Sequence, residues 1–200
     1  MSHKAQRYNV IGLNLRWCYS DEMRLKREFF EREVLTVAPE LLGKVLRRKF
    51  DFTPGVDRYG IITEVEAYRG EEDLASHARF GKTTRNRVMY QPGGMVYMYL
   101  VYGIHWMLNI VTGKVNQPQA ILIRSLEGIW GPGKVTKYLQ LDQDFYAEDL
   151  VRSERLWIEA IHPGGGIVIR QTPRIGVNYA GEWAKKPWRF VMESQPIKSR

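Results

Sequence analysis

Two glutamates and a tyrosine stand at alternating positions within residues 63–68. Alternate residues of a strand lie on one face of a sheet, so Glu64, Glu66 and Tyr68 would share a face. A carboxylate in that position can orient a water molecule and take its proton. A glutamate on a half-exposed strand is more often a plain surface residue, but the aromatic ring beside it favours a catalytic site.

A second group of aromatic residues lies further along the chain. Residues 97–109 alternate like two strands that meet at Tyr102-Gly103, and this pattern predicts a hairpin with Tyr102 at the tip of a tight turn. Gly103 suits such a turn because glycine adopts positive φ without strain. A tyrosine at the tip packs little against a core, so it is well placed to insert into a partner molecule.

The charge of the chain favours a polyanionic partner. The formal net charge is +8 and the pI is about 9.6, as in many nucleic-acid-binding proteins, although a basic balance can also serve solubility alone. One short segment without acids contains Arg79, Lys82, Arg85 and Arg87. The glycine, threonines and asparagine between them resemble a phosphate-binding loop, with a solvated run of charge as the alternative. A carboxylate, aromatic rings and an insertable tyrosine in a basic protein suggest chemistry on a base extruded from DNA.

Length and composition exclude several other classes. Two hundred residues suit one domain with a sizeable core. No apolar run approaches the roughly 18 residues of a membrane span, and the N-terminus lacks the apolar stretch of a secretory signal. Because Cys18 is the only cysteine, the chain can form no internal disulfide and no cysteine zinc cluster. We therefore expect no metal, no other cofactor and no membrane association.

The predicted elements indicate an α+β fold. Strands are predicted over 60–69, 95–102, 105–111, 120–126 and 167–170. Helices are predicted over 36–46, 72–78, 85–90, 131–141 and 147–160, with a turn at 51–58. Strands joined by hairpins, with helices interspersed irregularly, predict a single domain over 31–200 with a mainly antiparallel sheet. Residues 1–30 are polar and weakly periodic, so we expect a poorly ordered or weakly packed arm with at most a short helix over 23–30.

A Gly-Pro-Gly-Lys motif at 131–134 would open one of these helices. Its backbone donors and the Lys134 ammonium could receive a phosphate at the helix N-terminus, and a plain helix start is the alternative. The motif is not a nucleotide-binding loop, because the longer glycine-lysine-hydroxyl pattern is absent.

An ordered series of motifs runs through residues 36–192. It comprises Glu64-Val65-Glu66-Ala67-Tyr68, Asp73-x-x-x-His77, Gly81-Lys82-Thr83-x-Arg85-Asn86, Tyr97-x-Tyr99-x-x-Tyr102-Gly103, Asn109, Ile121-Leu122-Ile123-Arg124, Gly131-Pro132-Gly133-Lys134, Pro173-Arg174-Ile175-Gly176, Gly181-Glu182-Trp183-Ala184 and Pro187-Trp188-Arg189-Phe190. The series closely resembles the alkyladenine DNA glycosylase family, the 3-methyladenine DNA glycosylases of the mixed α/β type rather than of the helix-hairpin-helix type. The resemblance implies that the sheet is curved like an open barrel with surrounding helices.

Two segments depart from the pattern of that family. The chain passes over 127–131 almost directly into the Gly-Pro-Gly-Lys motif, where the family has a longer insertion. DNA contacts made by that insertion are therefore not carried over to this chain. Residues 1–30 have no counterpart in the family, and neither departure touches the implied pocket.

The resemblance implies roles in hydrolysis for three residues. Glu66 matches the catalytic glutamate that deprotonates the attacking water, and Glu64 on the same face is the competing candidate. Arg124 resembles the residue that helps to hold the water and Glu66, although a buried arginine–carboxylate pair can also be structural. The main-chain carbonyl of Ile175 would be a third ligand of the water. Because no lysine or N-terminal proline matches the position of a nucleophile, we expect a monofunctional enzyme that forms no Schiff base and leaves an abasic site.

The resemblance also implies a pocket for an extruded base. Tyr68 would stack on one side of the base and His77 and Tyr99 on the other, which suits electron-poor alkylated purines, although single tyrosines more often belong to a core. Asn109 would exclude guanine by crowding its exocyclic amino group, unless its amide is merely satisfied within the sheet. Tyr102 would fill the vacated stack from the minor groove.

These features together predict a DNA repair glycosylase that acts as a monomer on double-stranded DNA with damaged purines. Its substrates would be 3-methyladenine, 7-methylguanine, hypoxanthine and ethenoadenine. It would act in the cytoplasm at the nucleoid if the source is a bacterium, and in the nucleus if the source is a eukaryote. The side chains expected to bind DNA phosphates are Lys82, Thr83, Arg85, Asn86, Arg87 and Lys134.

Two other functions compete with this interpretation. A non-catalytic binder of single-stranded nucleic acid would use the same aromatic and basic residues, but it would gain nothing from a Glu66 backed by Arg124. A carbohydrate hydrolase would need Glu64 and Glu66 as its two acids, about 6–7 Å apart along one strand face. That function leaves the basic balance and the tip tyrosine unexplained.

Overall fold

The structure is a computed structural model that describes residues 23–50, 57–160 and 167–193. Within these ranges, nine strands form one antiparallel sheet that curls into a half-barrel, and short helices pack around it. The predicted α+β class, with a single domain and a curved, mainly antiparallel sheet, is confirmed. None of the helices in the same ranges has both the length and the apolar character needed to cross a membrane.

The strands are β1 (Val45–Arg48), β2 (Arg58–Tyr68), β3 (Val96–Val101), β4 (His105–Thr112), β5 (Gln119–Leu126), β6 (Ile129–Trp130), β7 (Leu156–Glu159), β8 (Val168–Thr172) and β9 (Arg189–Glu193). The α-helices are α1 (Arg27–Phe30), α2 (Val34–Leu41) and α3 (Pro132–Leu139). Short 3₁₀ helices follow at His77–Phe80, Arg87–Tyr90, Gln143–Phe145 and Asn178–Lys185.

The long strand β2 organises the sheet. The strand order is β3-β4-β5-β2-β1-β7, with β6 paired to the end of β5. One edge of β2 pairs with β1 along its first half and with β9 along its second half. β9 also pairs with β8. The glutamates of β2 therefore lie between β5 on one side and β9 on the other.

The two faces of β2 have opposite character. Val65 and Ala67 are fully buried in the main hydrophobic core, where α2 and α3 cover the sheet. The helices contribute Val34, Val37, Leu41, Val135 and Leu139 to this core. The opposite face carries Glu64, Glu66 and Tyr68, which agrees with the alternation of the sequence. Burial of the apolar face thus directs the two carboxylates and the tyrosine to the other face.

β2 and β5 pair with an irregular register. Val65 lies opposite Ile123 and Glu64 lies opposite Ser125, so Arg124 is an extra residue in β5. Such a bulge interrupts the regular alternation and redirects side chains. As a result the consecutive side chains of Arg124 and Ser125 both reach Glu64, which a regular strand would prevent.

Several predicted elements differ from the observed ones. The predicted helix 36–46 corresponds to α2, which starts earlier and ends at Leu41, and Pro39 lies inside it. Gly43 then adopts positive φ, and the chain enters β1 within the range predicted as helix. The predicted helix 72–78 is wrong over most of its length, because 72–76 form turns and the 3₁₀ helix begins only at His77. The predicted helix 85–90 corresponds to the 3₁₀ helix Arg87–Tyr90.

The predicted helix 147–160 is wrong. This range forms turns followed by β7, whose residues are all buried. Good helix formers such as Ala, Glu, Leu and Arg gave the helical prediction, but β7 pairs with β1 at the end of the sheet. Burial on both faces favours the strand over the local propensity of its residues.

Some predicted segments lie outside the described residues. These are residues 1–22 of the predicted arm and most of the turn predicted at 51–58. Leu25 and Phe30 belong to the main core, and the Arg27 guanidinium donates to the carboxylate of Asp149 at 2.5 Å. The packed part of the chain therefore begins before residue 31, the boundary that the sequence predicted.

Candidate active site

A cavity of about 300 Å³ opens on the face of the sheet that carries Glu66. Its walls come from β2, β3, β4 and β5, from the start of the His77–Phe80 helix and from the segment that follows β8. The predicted site residues among its lining are Tyr68, His77, Tyr99, Tyr102, Asn109, Arg124 and Ile175. The volume lies at the lower end of the range of about 300–1,000 Å³ for small-molecule sites.

Glu66 lies directly behind the cavity wall and is fully buried. Its Oε1 accepts a hydrogen bond from the main-chain amide of Ile175 at 2.8 Å and forms an ion pair with Arg124 Nη1 at 3.3 Å. Its Oε2 accepts a hydrogen bond from the Tyr68 hydroxyl at 2.9 Å. All three partners line the cavity, so the carboxylate is held against the cavity by groups from three separate segments.

Burial controls the protonation of this carboxylate. It raises the pKa of Glu66 above its usual range, and the Glu64 charge adds to the rise, although the Arg124 charge and the two hydrogen bonds act in the opposite direction. The pKa of the Tyr68 hydroxyl is also raised, by burial and by the negative charge of Glu66. Tyr68 therefore stays protonated and donates. A carboxylate with a raised pKa is a stronger base than an exposed one.

Glu64 has a different environment, although it lies on the same face. Its Oε1 accepts from Arg124 Nε at 3.0 Å and from Arg189 Nη1 at 2.9 Å, and its Oε2 accepts from the Ser125 hydroxyl at 2.7 Å. Burial raises the pKa of Glu64, but these hydrogen bonds and the Arg124 charge outweigh burial and hold the pKa below its usual range. Such a carboxylate is a poor general acid, which weakens the interpretation as a carbohydrate hydrolase.

The aromatic side chains form two separate surfaces. The rings of His77 and Tyr99 meet edge to face with centroids 4.5 Å apart, and the Tyr68 ring lies over the Arg174 guanidinium at 4.8 Å. Burial lowers the pKa of His77 to about 4, and the nearby Arg85 and Arg79 charges contribute. The imidazole is therefore neutral at neutral pH. Its Nδ1 lies 2.9 Å from the hydroxyl of Tyr97.

Asn109 is buried in the cavity wall and bonded within the sheet. Its amide nitrogen donates to the main-chain carbonyls of Tyr97 at 3.1 Å and Met107 at 3.3 Å. These bonds use both amide hydrogens. The side chain is thus satisfied within the sheet, and it also lines the cavity.

Tyr102 occupies the tip of the β3–β4 hairpin, as its sequence context predicts. Both Tyr102 and Gly103 have positive φ, and the Ile104 amide donates to the carbonyl of Val101 to close the turn. The Tyr102 side chain is 91% exposed while it also borders the cavity. Its ring therefore stands in solvent at the cavity mouth.

The predicted phosphate-binding side chains fall into two groups. Lys82, Thr83, Arg85, Arg87 and Lys134 are exposed. Asn86 is buried: its Oδ1 accepts from the Thr83 amide at 2.6 Å and its Nδ2 donates to the carbonyls of His77 and Gly81 at 2.9 Å. The Asn86 amide is therefore used to shape the loop. The Thr83 hydroxyl shares this role, because it accepts from the Asn86 main-chain amide at 3.3 Å.

A buried ion pair joins two walls of the site. No role was predicted for either of its residues. Asp73 follows β2 and Arg174 follows β8, and both side chains are fully buried. The guanidinium donates to both Asp73 oxygens at 2.5 and 2.8 Å and to the carbonyl of Ala67 at 2.9 Å. Both residues stand in the quoted motifs, but only their contact across the fold indicates what they do.

Exposed aromatic residues also surround the cavity without having been predicted. The Arg79 guanidinium lies between the rings of Phe80 and Tyr179, at 4.4 and 5.1 Å. Trp130 is 71% exposed and pairs with Ser125 next to Arg124. Cation–π stacks and exposed aromatic rings are common on surfaces that bind nucleic acids. Because these residues are far apart in the sequence, no local pattern indicates that they lie near the same cavity.

Across residues 23–50, 57–160 and 167–193, no three histidine, cysteine or acidic side chains come together in a group that could hold a metal ion.

Comparison with known proteins gives a consistent result. A family model described as "Methylpurine-DNA glycosylase" matches residues 28–130 and 127–196. Relatives named "Putative 3-methyladenine DNA glycosylase" occur in several bacteria. The relative from Anaeromyxobacter sp. (strain Fw109-5) is 39% identical over 185 residues, covering 89% of this chain and 93% of the relative. The relative from Legionella pneumophila (strain Corby) is 39% identical over 184 residues, covering 88% and 98%. The relative from Natranaerobius thermophilus is 34% identical over 199 residues, covering 88% and 99%.

We expect Asp73→Asn to lower the free energy of unfolding by about 3–5 kcal/mol, because the buried Arg174 charge loses the carboxylate that compensates it. Urea unfolding of the variant and of the original protein measures the difference. The double variant Asp73→Asn/Arg174→Met removes the uncompensated charge as well, so its loss should be smaller than the sum of the two single losses. Strictly additive losses would contradict the pairing.

Proposed function

The chain belongs to the methylpurine-DNA glycosylase family and is a DNA-3-methyladenine glycosylase, and we propose that Glu66 is the base in its hydrolytic step. The observation that carries the assignment is the buried Glu66 carboxylate held by Tyr68, Arg124 and Ile175 behind an aromatic cavity. A base that leaves the DNA helix would enter this cavity and bring its N-glycosidic bond close to Glu66.

The proposed step is a displacement at the anomeric carbon of the sugar. The oxygen of a water molecule bonds to this carbon while the bond to the purine nitrogen breaks and its electron pair leaves with the base. Glu66 takes a proton from the water, and its negative charge stabilises the positive charge that develops on the sugar. The products are a free purine and an abasic site, without a covalent enzyme intermediate and without strand cleavage.

The water must displace one of the present contacts of Glu66, because the carboxylate is fully covered. The Ile175 amide is the most easily exchanged partner, since Ile175 is half exposed and lies at the cavity wall. We propose that the water takes this position, held by Glu66, by Arg124 and by the carbonyl of Ile175. Hydrogen bonds of a catalytic base are often rearranged when the substrate binds.

The aromatic walls support a preference for electron-poor purines. Alkylation at a ring nitrogen gives 3-methyladenine and 7-methylguanine a positive charge, which the faces of Tyr68 and Tyr99 attract. The neutral imidazole of His77 allows such a base to stack without repulsion. We propose 7-methylguanine, hypoxanthine and ethenoadenine as further substrates, with Asn109 hindering the exocyclic amino group of guanine.

The exposed residues around the cavity mouth support a DNA-binding surface. Tyr102 would fill the space that the extruded base leaves in the helix, and the phosphate contacts would come from Lys82, Thr83, Arg85, Arg87 and Lys134. Because the relatives described above are bacterial, we propose that the protein acts on chromosomal DNA in a bacterial cytoplasm. We further propose that it does so as a monomer.

Glu66→Gln should abolish excision while binding to lesion DNA stays within a few-fold. The amide keeps the shape and much of the hydrogen bonding of Glu66 but cannot take a proton, a role worth about 10²–10⁴ in rate. The measurement is release of 3-methyladenine and 7-methylguanine from duplex DNA treated with dimethyl sulfate. Oligonucleotides with a single hypoxanthine or ethenoadenine, cleaved with alkali after incubation, test the two other substrates.

The unaltered protein also separates the competing functions in this assay. A non-catalytic binder releases no base, and a carbohydrate hydrolase leaves the DNA intact, whereas a glycosylase gives scission that depends on alkali. Near-normal base release by Glu66→Gln would contradict the assignment of the catalytic base.

Tyr102→Ser should impair extrusion of the base while the melting temperature stays nearly unchanged, because the exposed ring buries little in the free protein. Extrusion costs a few kcal/mol of unstacking, which the inserted ring partly offsets. A lesion that is mispaired or weakly stacked should therefore lose less activity than a well-paired one. Single-turnover rates on matched duplexes and on single-stranded DNA measure the difference. Equal loss on all substrates would mean that Tyr102 supports the pocket instead.

Binding to DNA should weaken steeply with salt, because about 4 to 6 neutralised phosphates give a slope of about −4 to −5 in a plot of log affinity against log salt. Arg87→Gln should flatten the slope by about one unit and leave lesion preference unchanged. Arg152→Gln is the matched control, because Arg152 is also exposed and lies outside the basic segment. It should leave the slope unchanged. A defect of Arg87→Gln confined to lesion DNA would instead assign Arg87 to the pocket.

A further inference from the structure

Glu64 has all the features of a strongly held anion but no access to the substrate. Its two oxygens accept three hydrogen bonds, from Arg124 Nε, Arg189 Nη1 and the Ser125 hydroxyl, at 2.7 to 3.0 Å. The side chain is 15% exposed and does not line the cavity. The proposed reaction gives it no task, so its burial beside the catalytic carboxylate requires another explanation.

Arg124 connects the two carboxylates. Its Nε donates to Glu64 at 3.0 Å while its Nη1 lies 3.3 Å from Glu66 Oε1, and the guanidinium also lines the cavity. A guanidinium is a rigid planar group, so a bond that fixes Nε also fixes the direction of Nη1. The bulge in β5 brings Arg124 and Ser125 to the same carboxylate. Glu64 thereby fixes the Nε atom of Arg124.

We propose that Glu64 is a positioning residue, which holds Arg124 and Arg189 in a fixed arrangement and balances their charge so that Glu66 remains an effective base. The inference rests on the proposed function of Glu66. This role differs from that of a catalytic base, for which Glu64 was the competing candidate. As a positioning residue, Glu64 acts only through the two arginines.

The charged groups around Glu66 determine the direction in which its pKa changes when the Glu64 charge is removed. The groups that act on it are Glu64 and Tyr68 from β2, Arg124 from β5, Tyr99 from β3 and the Ile175 amide from the segment after β8. Arg189 of β9 joins the cluster through its hydrogen bond to Glu64. Two arginines thus stand near two carboxylates. Without the Glu64 charge, Arg124 would act on Glu66 alone, and the repulsion from a neighbouring anion would also vanish. Both changes favour the ionised form of Glu66 and lower its pKa.

Glu64→Gln should therefore shift the acidic limb of the pH profile of excision to lower pH, by roughly one unit. The maximal single-turnover rate should fall about 10- to 100-fold, because Glu66 becomes a weaker base and Arg124 loses its anchor. Affinity for lesion DNA should change little, since Glu64 does not line the cavity. The rates are measured from pH 4 to about pH 9 as release of 3-methyladenine from methylated duplex DNA.

Arg189→Met provides a test with the opposite sign. It removes the positive charge that offsets Glu64. The less compensated Glu64 anion should then raise the pKa of Glu66 further and move the acidic limb to higher pH. Shifts in opposite directions cannot arise from general loosening of the site. Glu193→Gln is the matched control for Glu64→Gln. Glu193 pairs with Arg170 at 3.0 Å on an exposed edge, so this variant also removes one negative charge but does not touch the cluster.

Each outcome decides the proposal. An unmoved limb in Glu64→Gln, with the melting temperature retained, would overturn it, as would shifts of Glu64→Gln and Arg189→Met in the same direction. If Glu64→Gln does not fold, the direction of the Arg189→Met shift decides alone. Loss of activity in Glu64→Gln as complete as in Glu66→Gln would make Glu64 the base and overturn the proposal. Failure of the proposed function is seen separately, as no base release by the original protein or undiminished release by Glu66→Gln.

Discussion

The buried ion pair between Asp73 and Arg174 is the interaction on which the geometry of the site depends. The two residues belong to the loops that follow β2 and β8, which this ion pair joins directly. Desolvating two charges is costly, and here each Asp73 oxygen accepts an arginine hydrogen bond and one from a main-chain amide. Because Arg174 precedes Ile175 and its guanidinium lies against the Tyr68 ring, the pair fixes two of the three groups that contact the Glu66 carboxylate.

The neighbouring glutamates of β2 show how one strand face can hold two carboxylates with different chemistry. Glu66 meets one arginine nitrogen, one amide and one hydroxyl in a fully buried position, and its pKa is raised. Glu64 meets two guanidinium groups and a hydroxyl nearer to solvent, and its pKa is lowered. Environments that separate the pKa values of a pair in this way are the usual means of dividing roles between like side chains. Of the two, Glu66 is the carboxylate whose proton affinity is raised, which is the property that a general base needs.

The sheet supplies the framework that makes this division possible. β2 lies between β5 and β9, so side chains from both neighbours can reach its glutamates. The helices bury the other face, which leaves one face of the half-barrel open for a base and its DNA. Around the cavity mouth stand an exposed tyrosine at a hairpin tip, the basic loop and a stack of Phe80, Arg79 and Tyr179. Exposed side chains thus surround the cavity mouth, while the buried groups that contact Glu66 belong mainly to paired strands.

The sequence by itself determined the features that depend on local pattern. Alternation in β2 put Glu64, Glu66 and Tyr68 on one face, and Tyr102-Gly103 specified the turn at the hairpin tip, since both signals lie within a few residues. The motifs also identified the family. Only the tertiary structure decided that Arg124 is bulged towards Glu64, that Asn86 is buried within its loop and that Asp73 pairs with Arg174. It also made 156–159 a strand where local propensity favoured a helix. These outcomes depend on partners distant in the sequence, whose register and burial no local pattern encodes.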